Sequence, residues 1–587
     1  MKHKLLTIIG FAALLTFGSC GEDFLYKDPQ GSLAPEVLDN EQGAELLVTS
    51  TYANLHENDW GASIFNWTFG GMYGGDANKG SDPGDQSVLN EMELYNTLST
   101  NSYLGEKWKW VYKGSKRASL ALNVLNKAEM DEALRNTRKA EVYMLRAMFY
   151  FEGVKVFGPY IPYVDETYME NNPKVANDKD IYPLIIADID KAIEGLPEIH
   201  RPAGGGDPVP GRVNVWAAQM LKAKILMQYG KIAEAKPILA KVLTEGQTSF
   251  GLKYGLADDL TQNWDAMRDN TSPESIWEIQ FSIDGPNNNA NSGMSLCYPH
   301  NSGPGGCCGF YQPSFELVNS YQVDENGLPY LNGEYRSKPS VSKQINTDAF
   351  VENDKDIAVD PRLDFAVGRY HVPYKDWGFP GRDWIRNPTN GGIFLPKKHV
   401  YTLEMFNAEL GSPSYGLGWS PGSAMNIQYL SVRDALLLYA ECLANDGDLK
   451  GAMDQVNQVR ARAALDVNII RNEDGTPAAT YKVEQYPSTH QAFSSQETCI
   501  KAIRMERKLE LAMEGQRWFD LARWGGDYMS SELRAYLDYE KVPIPKFESA
   551  SYLPPEKVMF PIPDSQIQAM GTDESGKSYL IQPNAWK

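Results

Sequence analysis

Apolar residues recur at helical spacing in several blocks of the chain. Ala140, Tyr143, Ala147, Phe151 and Val154 stand three or four apart and share one helical face. Val215, Ala218, Ile225 and Tyr229 begin a second block, and residues 232–243 continue it after a turn at Gly230. The clearest pair covers residues 431–445 and 449–464. Val432, Ala435, Tyr439 and Cys442 face one way; Leu449, Ala452, Val456 and Val459 face back. Ser431 is expected to cap the first helix, with Asp434 three residues on, and Gly447 suits the left-handed position after its end. Two such helices make an αα-hairpin of roughly 34 residues, the size of a tetratricopeptide unit. The pattern predicts a mainly α-helical scaffold over about residues 35–246 and 429–530.

Between the two stretches, over about residues 247–428, the pattern changes. Gly, Pro, Asn and aromatics rise, and no long amphipathic helix is evident. Residues 275–282 alternate and read as a short strand. Residues 282–310 are punctuated by Asn287, Asn288 and Asn289 and by the Gly303-Pro304-Gly305-Gly306 run, and residues 376–422 carry Trp377, Trp384, Tyr415 and Trp419. A further Gly-rich loop covers residues 58–90. Structureless loops this long are usually functional or disordered. Few short strands are expected among them.

The N-terminus reads differently. Lys2 and Lys4 precede an apolar run over residues 5–17, too short at ~1.5 Å per residue to cross a bilayer core of roughly 30 Å. Gly18-Ser19-Cys20 closes it. This is the layout of a lipoprotein signal peptide over residues 1–19, with Cys20 as the acylated first residue of the mature chain. Residues 20–587 are then one large domain tethered by lipid. The formal net charge of −20 over 587 residues argues against nucleic-acid binding, because such a field repels phosphate.

The residues 504–523, Arg-Met-Glu-Arg-Lys-Leu-Glu-Leu-Ala-Met-Glu-Gly-Gln-Arg-Trp-Phe-Asp-Leu-Ala-Arg, resemble the signature helix of the SusD/RagB family of outer-membrane nutrient-binding lipoproteins. So do residues 140–151 with Phe157-Gly158-Pro159, the hairpin with Ala440-Glu441 and Arg460-Ala461-Arg462, and the tail with Phe560-Pro561-Ile562-Pro563 and Gln582-Pro583-Asn584. The resemblance implies a SusD-like helical body with four tetratricopeptide-like units. It also implies a SusC-like TonB-dependent transporter as partner and an oligosaccharide, or in some members a peptide, as ligand. The acidic Glu22-Asp23 after Cys20 is similar to a surface-export signal of such lipoproteins. Glu506, Glu510, Glu514, Arg507 and Arg517 read as a helix-packing network rather than a catalytic site.

Aromatics on Gly-rich loops give the glycan-binding candidates, since a ring plate buries the C–H face of a pyranose while nearby polar groups hold its hydroxyls. They are Trp67, Tyr73, Asp76 and Asn78 in the first loop, Tyr298 and Tyr311 in the second, and Arg369, Trp377 and Trp384 in the third. The ordinary alternative for each is packing against the scaffold, the role assigned to Trp108 and Trp110. The site requires at least two of the loops to converge.

Other chemistry is sparse. Residues 571–578 fit a Walker-type spacing, but Asp573 and Glu574 would repel phosphate and too little chain follows for the required helix. Cys297, His300, Cys307 and Cys308 share one loop. A disulfide within the loop, with the vicinal Cys307–Cys308 pair among its forms, is preferred over free thiols, and these over zinc. Cys442 and Cys499 read as buried thiols. No EF-hand spacing exists, and structural calcium is left open by the family resemblance alone. No HExxH or GxSxG motif appears, so a glycoside hydrolase ranks last; a peptide-binding or structural lipoprotein of the same fold stands between it and glycan capture.

Overall fold

A computed structural model describes residues 38–56, 61–168, 173–202, 205–283, 289–344, 351–415 and 420–587. The signal peptide, Cys20 and its acidic neighbours, Asn58, Asn287, Asn288 and Trp419 lie outside the described residues.

The helical periodicity is realised as an array in which each helix packs on the next. It runs α1 (Glu41–Ala53), α2 (Ser102–Leu125), α3 (Glu132–Phe157), α4 (Tyr182–Gly195), α5 (Val215–Gln228) and α6 (Ile232–Glu245). Side-chain caps fix the starts: Asn101 accepts from the Tyr103 N–H, Asp131 from Leu134 and Asn214 from Ala217. Trp108 and Trp110 of α2 are buried, as are nearly all residues of α3 after Ala140. Fully burying one such side chain contributes about 1.5–3 kcal/mol.

The array resumes with α7 (Val432–Asn445) and α8 (Leu449–Ala463); α7 packs on both α6 and α8. Gly447 takes a positive φ of 83° between them, where a side chain would be strained. Ser431 precedes α7 in an extended conformation, but its side chain makes no capping bond. Asp434 turns instead to Lys224 at 2.5 Å and Arg507 at 2.8 Å, because two cations in a buried setting outweigh a neutral cap.

The intervening loop region leaves and re-enters the array on one ribbon. Strand β2 (Ser275–Ile279) pairs antiparallel with β4 (Ile427–Ser431). From outside the excursion, β1 (Ala77–Gly80) pairs with β3 (Phe310–Pro313) inside it, joining the first and second loops. Arg386 of the third loop reaches Asp82 at 2.6 Å and Asp85 at 2.7 Å. The loops form a small core of their own around Tyr298, Tyr374, Trp384, Tyr401 and Met405.

Residues 504–523 are not one helix. α9 (Gln496–Glu510) and α10 (Arg517–Arg523) are separated by a turn in which Met513 and Gly515 have positive φ. α11 (Gly526–Glu540) follows. The charged face of α9 is buried and paired: Glu506 with Arg362 (2.7 Å) and Arg460 (3.1 Å), Glu510 with Arg362 (2.9 Å) and Arg462 (2.5 Å), Lys508 with Glu316 (2.6 Å). Burial alone would raise the Glu510 carboxyl; Arg462, Arg362 and Lys398 outweigh it and hold it at about 2. The described residues contain no helix long and apolar enough to cross a membrane.

A candidate ligand cleft between scaffold and loops

The structure brings the three loops together, but through their interiors. Trp67 is fully buried in a π-helical turn (Trp67–Met72), packed 6.1 Å from Phe310 and 5.7 Å from Tyr311. Tyr73 is enclosed by Tyr95, Trp518 and Phe560. Asn78 donates to Glu540 at 2.8 Å and accepts from Tyr536 at 3.0 Å. Asp76 accepts from the Met513 N–H at 3.2 Å, and burial raises its carboxyl to about 7. Arg369 is bound on two sides to Asp364, and Tyr298, Tyr311 and Trp384 are buried. These eight side chains present no face for stacking. The Gly runs around them mark close backbone approach rather than exposed loops: a Cβ on Gly70 would strike the Gly515 carbonyl, and one on Gly71 the Tyr311 hydroxyl.

Trp377 differs. It is half-buried, its Nε1 donates to the Tyr401 carbonyl at 3.0 Å, and its ring meets Phe406, which is 39% exposed.

A cleft of about 80 Å³ opens where scaffold and loop region meet. Half-buried Phe65 and Trp264 form aromatic walls, with Met425 and Tyr429. Asn291, Asn426, Gln428, Gln516 and Glu514 bring amide and carboxylate groups to it. The floor is charged: Arg433 from the first turn of α7 bonds Glu514 at 3.0 Å and Gln428 at 2.7 Å. Asp434 beside it is held well below the usual carboxylate range, since Lys224 and Arg507 outweigh the effect of burial. Burial lowers His399 to about 4, so its ring is neutral at ordinary pH. Trp67 Nε1, Asn291 Oδ1, His399 Nδ1 and Arg433 Nε, on residues that line the cleft, are buried without a hydrogen-bond partner among the described residues.

Of this lining the sequence reading had named Trp67 and missed Phe65, Trp264 and Arg433. Trp264 lies between Asn263 and Asp265 outside the glycine-rich runs, and Arg433 sits inside an otherwise apolar helix face; that isolated charge was the available signal.

A second concavity of about 520 Å³ lies along α2, closed by the C-terminal residues Gln566, Met570 and Leu580. Its walls are largely aliphatic and aromatic, and Lys109, Lys113, Lys116, Asp165 and Glu166 bring charge to it.

Cys307 and Cys308 are joined as a vicinal disulfide, which removes them as zinc ligands, while Cys297, Cys442 and Cys499 are buried thiols. No group of three or more His, Cys, Asp or Glu side chains gathers as a metal site among the described residues. Residues 571–578 form a tight turn in which Asp573 accepts from the Ser575 and Lys577 amides, which is not a phosphate loop.

The SusD family description matches residues 273–574, over half of the chain, and a second, "Starch-binding associating with outer membrane", matches residues 24–225. The chain belongs to the SusD family. A relative, SusD-like protein P25 of Formosa agariphila, is 24% identical over 89% of this chain and 90% of its own. A SusD superfamily protein from Bacteroides vulgatus superposes with a TM-score of 0.65 at 18% identity, covering 93% of this chain and 99% of the other. Surface glycan-binding protein A from Bacteroides thetaiotaomicron, solved in complex with laminarihexaose, superposes at 0.59 with 18% identity over 92% and 99%.

Proposed function

We propose that the chain is a cell-surface lipoprotein of the outer membrane that captures an oligo- or polysaccharide and passes it to a SusC-like TonB-dependent transporter. The anchor is acyl chain on Cys20. Binding is non-covalent, and the chain is not an enzyme. The observation that carries this reading is the cleft beside Trp264 and Phe65, where aromatic residues adjoin amide and carboxylate side chains. At about 80 Å³ it takes a hydroxymethyl arm or a few waters rather than a whole ring. The sugar chain therefore lies across the mouth, one ring on Trp264, with one substituent inside. Trp377 with Phe406 offers a second stacking place, and several weak contacts on one polymer sum to useful avidity. The starch-binding family description and the laminarihexaose complex of a protein with this fold support a glycan.

Native affinity gels containing laminarin, starch and other polysaccharides test the reading. One polysaccharide should retard the protein, and Trp264→Ala should relieve the retardation while the circular dichroism spectrum is unchanged. Retardation by none, together with binding of a peptide pool, would turn the ligand assignment to peptides. Reducing-sugar release on incubation would overturn the non-enzyme assignment, and failure to co-purify with the transporter would overturn the handover.

A further inference from the structure

The wall of the ligand cleft is more apolar than a hydroxymethyl arm needs. Ile64, Met294, Met425, Ile427, Leu511 and Met513 line it beside the aromatic residues. Its charged side chains are all engaged: Lys224 with Asp434 at 2.5 Å, Lys398 with Glu514 at 2.8 Å, and Arg433 with Glu274 at 3.1 Å and Glu514 at 3.0 Å. A substituent carrying its own charge would lose water there and find no unpaired counter-ion. The cleft therefore suits a neutral group.

Amides are the polar groups left to meet it. Asn426 donates to Glu278 and accepts from the Phe281 N–H. Gln428 donates to Asn263 and accepts from Arg433, which leaves its amide one N–H and one lone pair. Gln516 precedes α10 without capping it, and its amide makes no other bond among the described residues. A group that matches this wall has one donor, one acceptor and a methyl. A hydroxymethyl arm has no methyl to set against the methionines.

We propose, resting on the glycan reading of this cleft, that the saccharide is N-acetylated and that the acetamido group of an amino sugar is the substituent seated inside. Its methyl lies against Met294, Met425 and Ile427, and Gln428 and Gln516 bond its N–H and C=O. The size agrees. A cavity of roughly 150 Å³ holds the six carbons of benzene, so about 80 Å³ suits three or four heavy atoms, and an acetamido group has four.

Calorimetry and saturation-transfer NMR with single sugars test this. N-acetylglucosamine, N-acetylgalactosamine and N-acetylmannosamine are compared with glucose, galactose and mannose, and glucosamine and glucuronate serve as charged controls. At least one N-acetyl sugar should bind about ten-fold tighter than its parent hexose, about four-fold of it from the buried methyl, and that methyl should take the most saturation. The charged controls should bind no tighter than glucose. Gln516→Glu and Met294→Gln should each remove most of the preference. Equal affinity within every pair, or a preference unchanged in both variants, overturns the proposal. Binding of none of the sugars overturns it too; retardation by laminarin or starch in the gels would then leave glycan capture itself standing. Tighter binding of N-acetylalanine amide than of any N-acetyl sugar would assign the cleft to peptides and overturn both readings.

Discussion

The Arg433 guanidinium lies 4.7 Å from the centre of the Trp264 ring. The cation belongs to the helical scaffold and the ring to the loop region, and Arg433 also pairs with Glu274 at 3.1 Å and Glu514 at 3.0 Å. The ring is thus levelled by a residue that is itself fixed by two carboxylates, and a cation over an aromatic face contributes about 0.5–2 kcal/mol. The two residues should therefore fail differently. Trp264→Ala should weaken glycan retention about tenfold or more, the loss of roughly 1.4 kcal/mol of stacking, with a small change in Tm. Arg433→Met leaves Glu274 and Glu514 short of a buried partner and should cost about 3–5 kcal/mol of stability in urea unfolding. Equal Tm losses in both variants would contradict this division.

Trp67 is the residue at which the sequence misled most. Its Gly-rich surroundings signal an exposed loop, yet the glycines are there because Gly70 and Gly71 touch Gly515 and Tyr311. Trp67→Ala should cost about 3–5 kcal/mol of stability, as expected for deleting a buried indole. Urea denaturation measures it; a variant of unchanged stability would contradict the packing role of Trp67, which also lines the cleft.

What was legible follows from the same contrast. The helix pairs, the turns at Gly230 and Gly447 and the structural role of Glu506 and Glu510 come from local periodicity and charge spacing, which one stretch of chain carries by itself. The break after Glu510 was not legible, because it serves contacts with residues over 400 positions away: Met513 N–H reaches Asp76 and Gly515 meets Gly70. The cleft was hidden for the same reason, since Phe65, Trp264 and Arg433 share no motif and meet only in three dimensions.

Asp76 makes stability depend on pH. Burial raises its carboxyl from an ordinary 3.8 to about 7, against the pull of Arg517, Lys508 and Lys398. The folded chain then holds this proton more tightly than the unfolded one, so its contribution is fully present below about pH 4 and is lost as pH rises through about 7. Asp76→Asn keeps an acceptor for the Met513 N–H and removes the titration. The variant should match wild type near pH 4 and exceed it above pH 8, by on the order of a few kcal/mol at most. A difference that does not change with pH would show that Asp76 does not titrate in this range.

Cys307 and Cys308 permit a direct chemical check. The intact protein should be lighter by two hydrogens without reductant than with it, and alkylation without reductant should leave buried Cys297, Cys442 and Cys499 largely unmodified. An unchanged mass on reduction would contradict the disulfide.

Glu506 joins the two halves of the architecture. Arg460 reaches it from α8 at 3.1 Å, and Arg362 reaches it from the loop region at 2.7 Å, with all three side chains buried. Desolvating three charges is costly, and the arrangement is stable only while every partner is present. Glu506→Gln should therefore destabilise the chain by about 3–5 kcal/mol. The loss should not be evenly spread. Arg362 retains Asp360 at 2.7 Å and Glu510 at 2.9 Å, whereas Arg460 retains the Glu484 and Gly327 carbonyls and the Tyr486 ring, with no second carboxylate among the described residues. Hydrogen exchange should rise most in α8 and around residues 484 and 327, and least around Arg362. Uniform loss of protection would mean that Glu506 supports the fold as a whole rather than clamping α8 to the loop region.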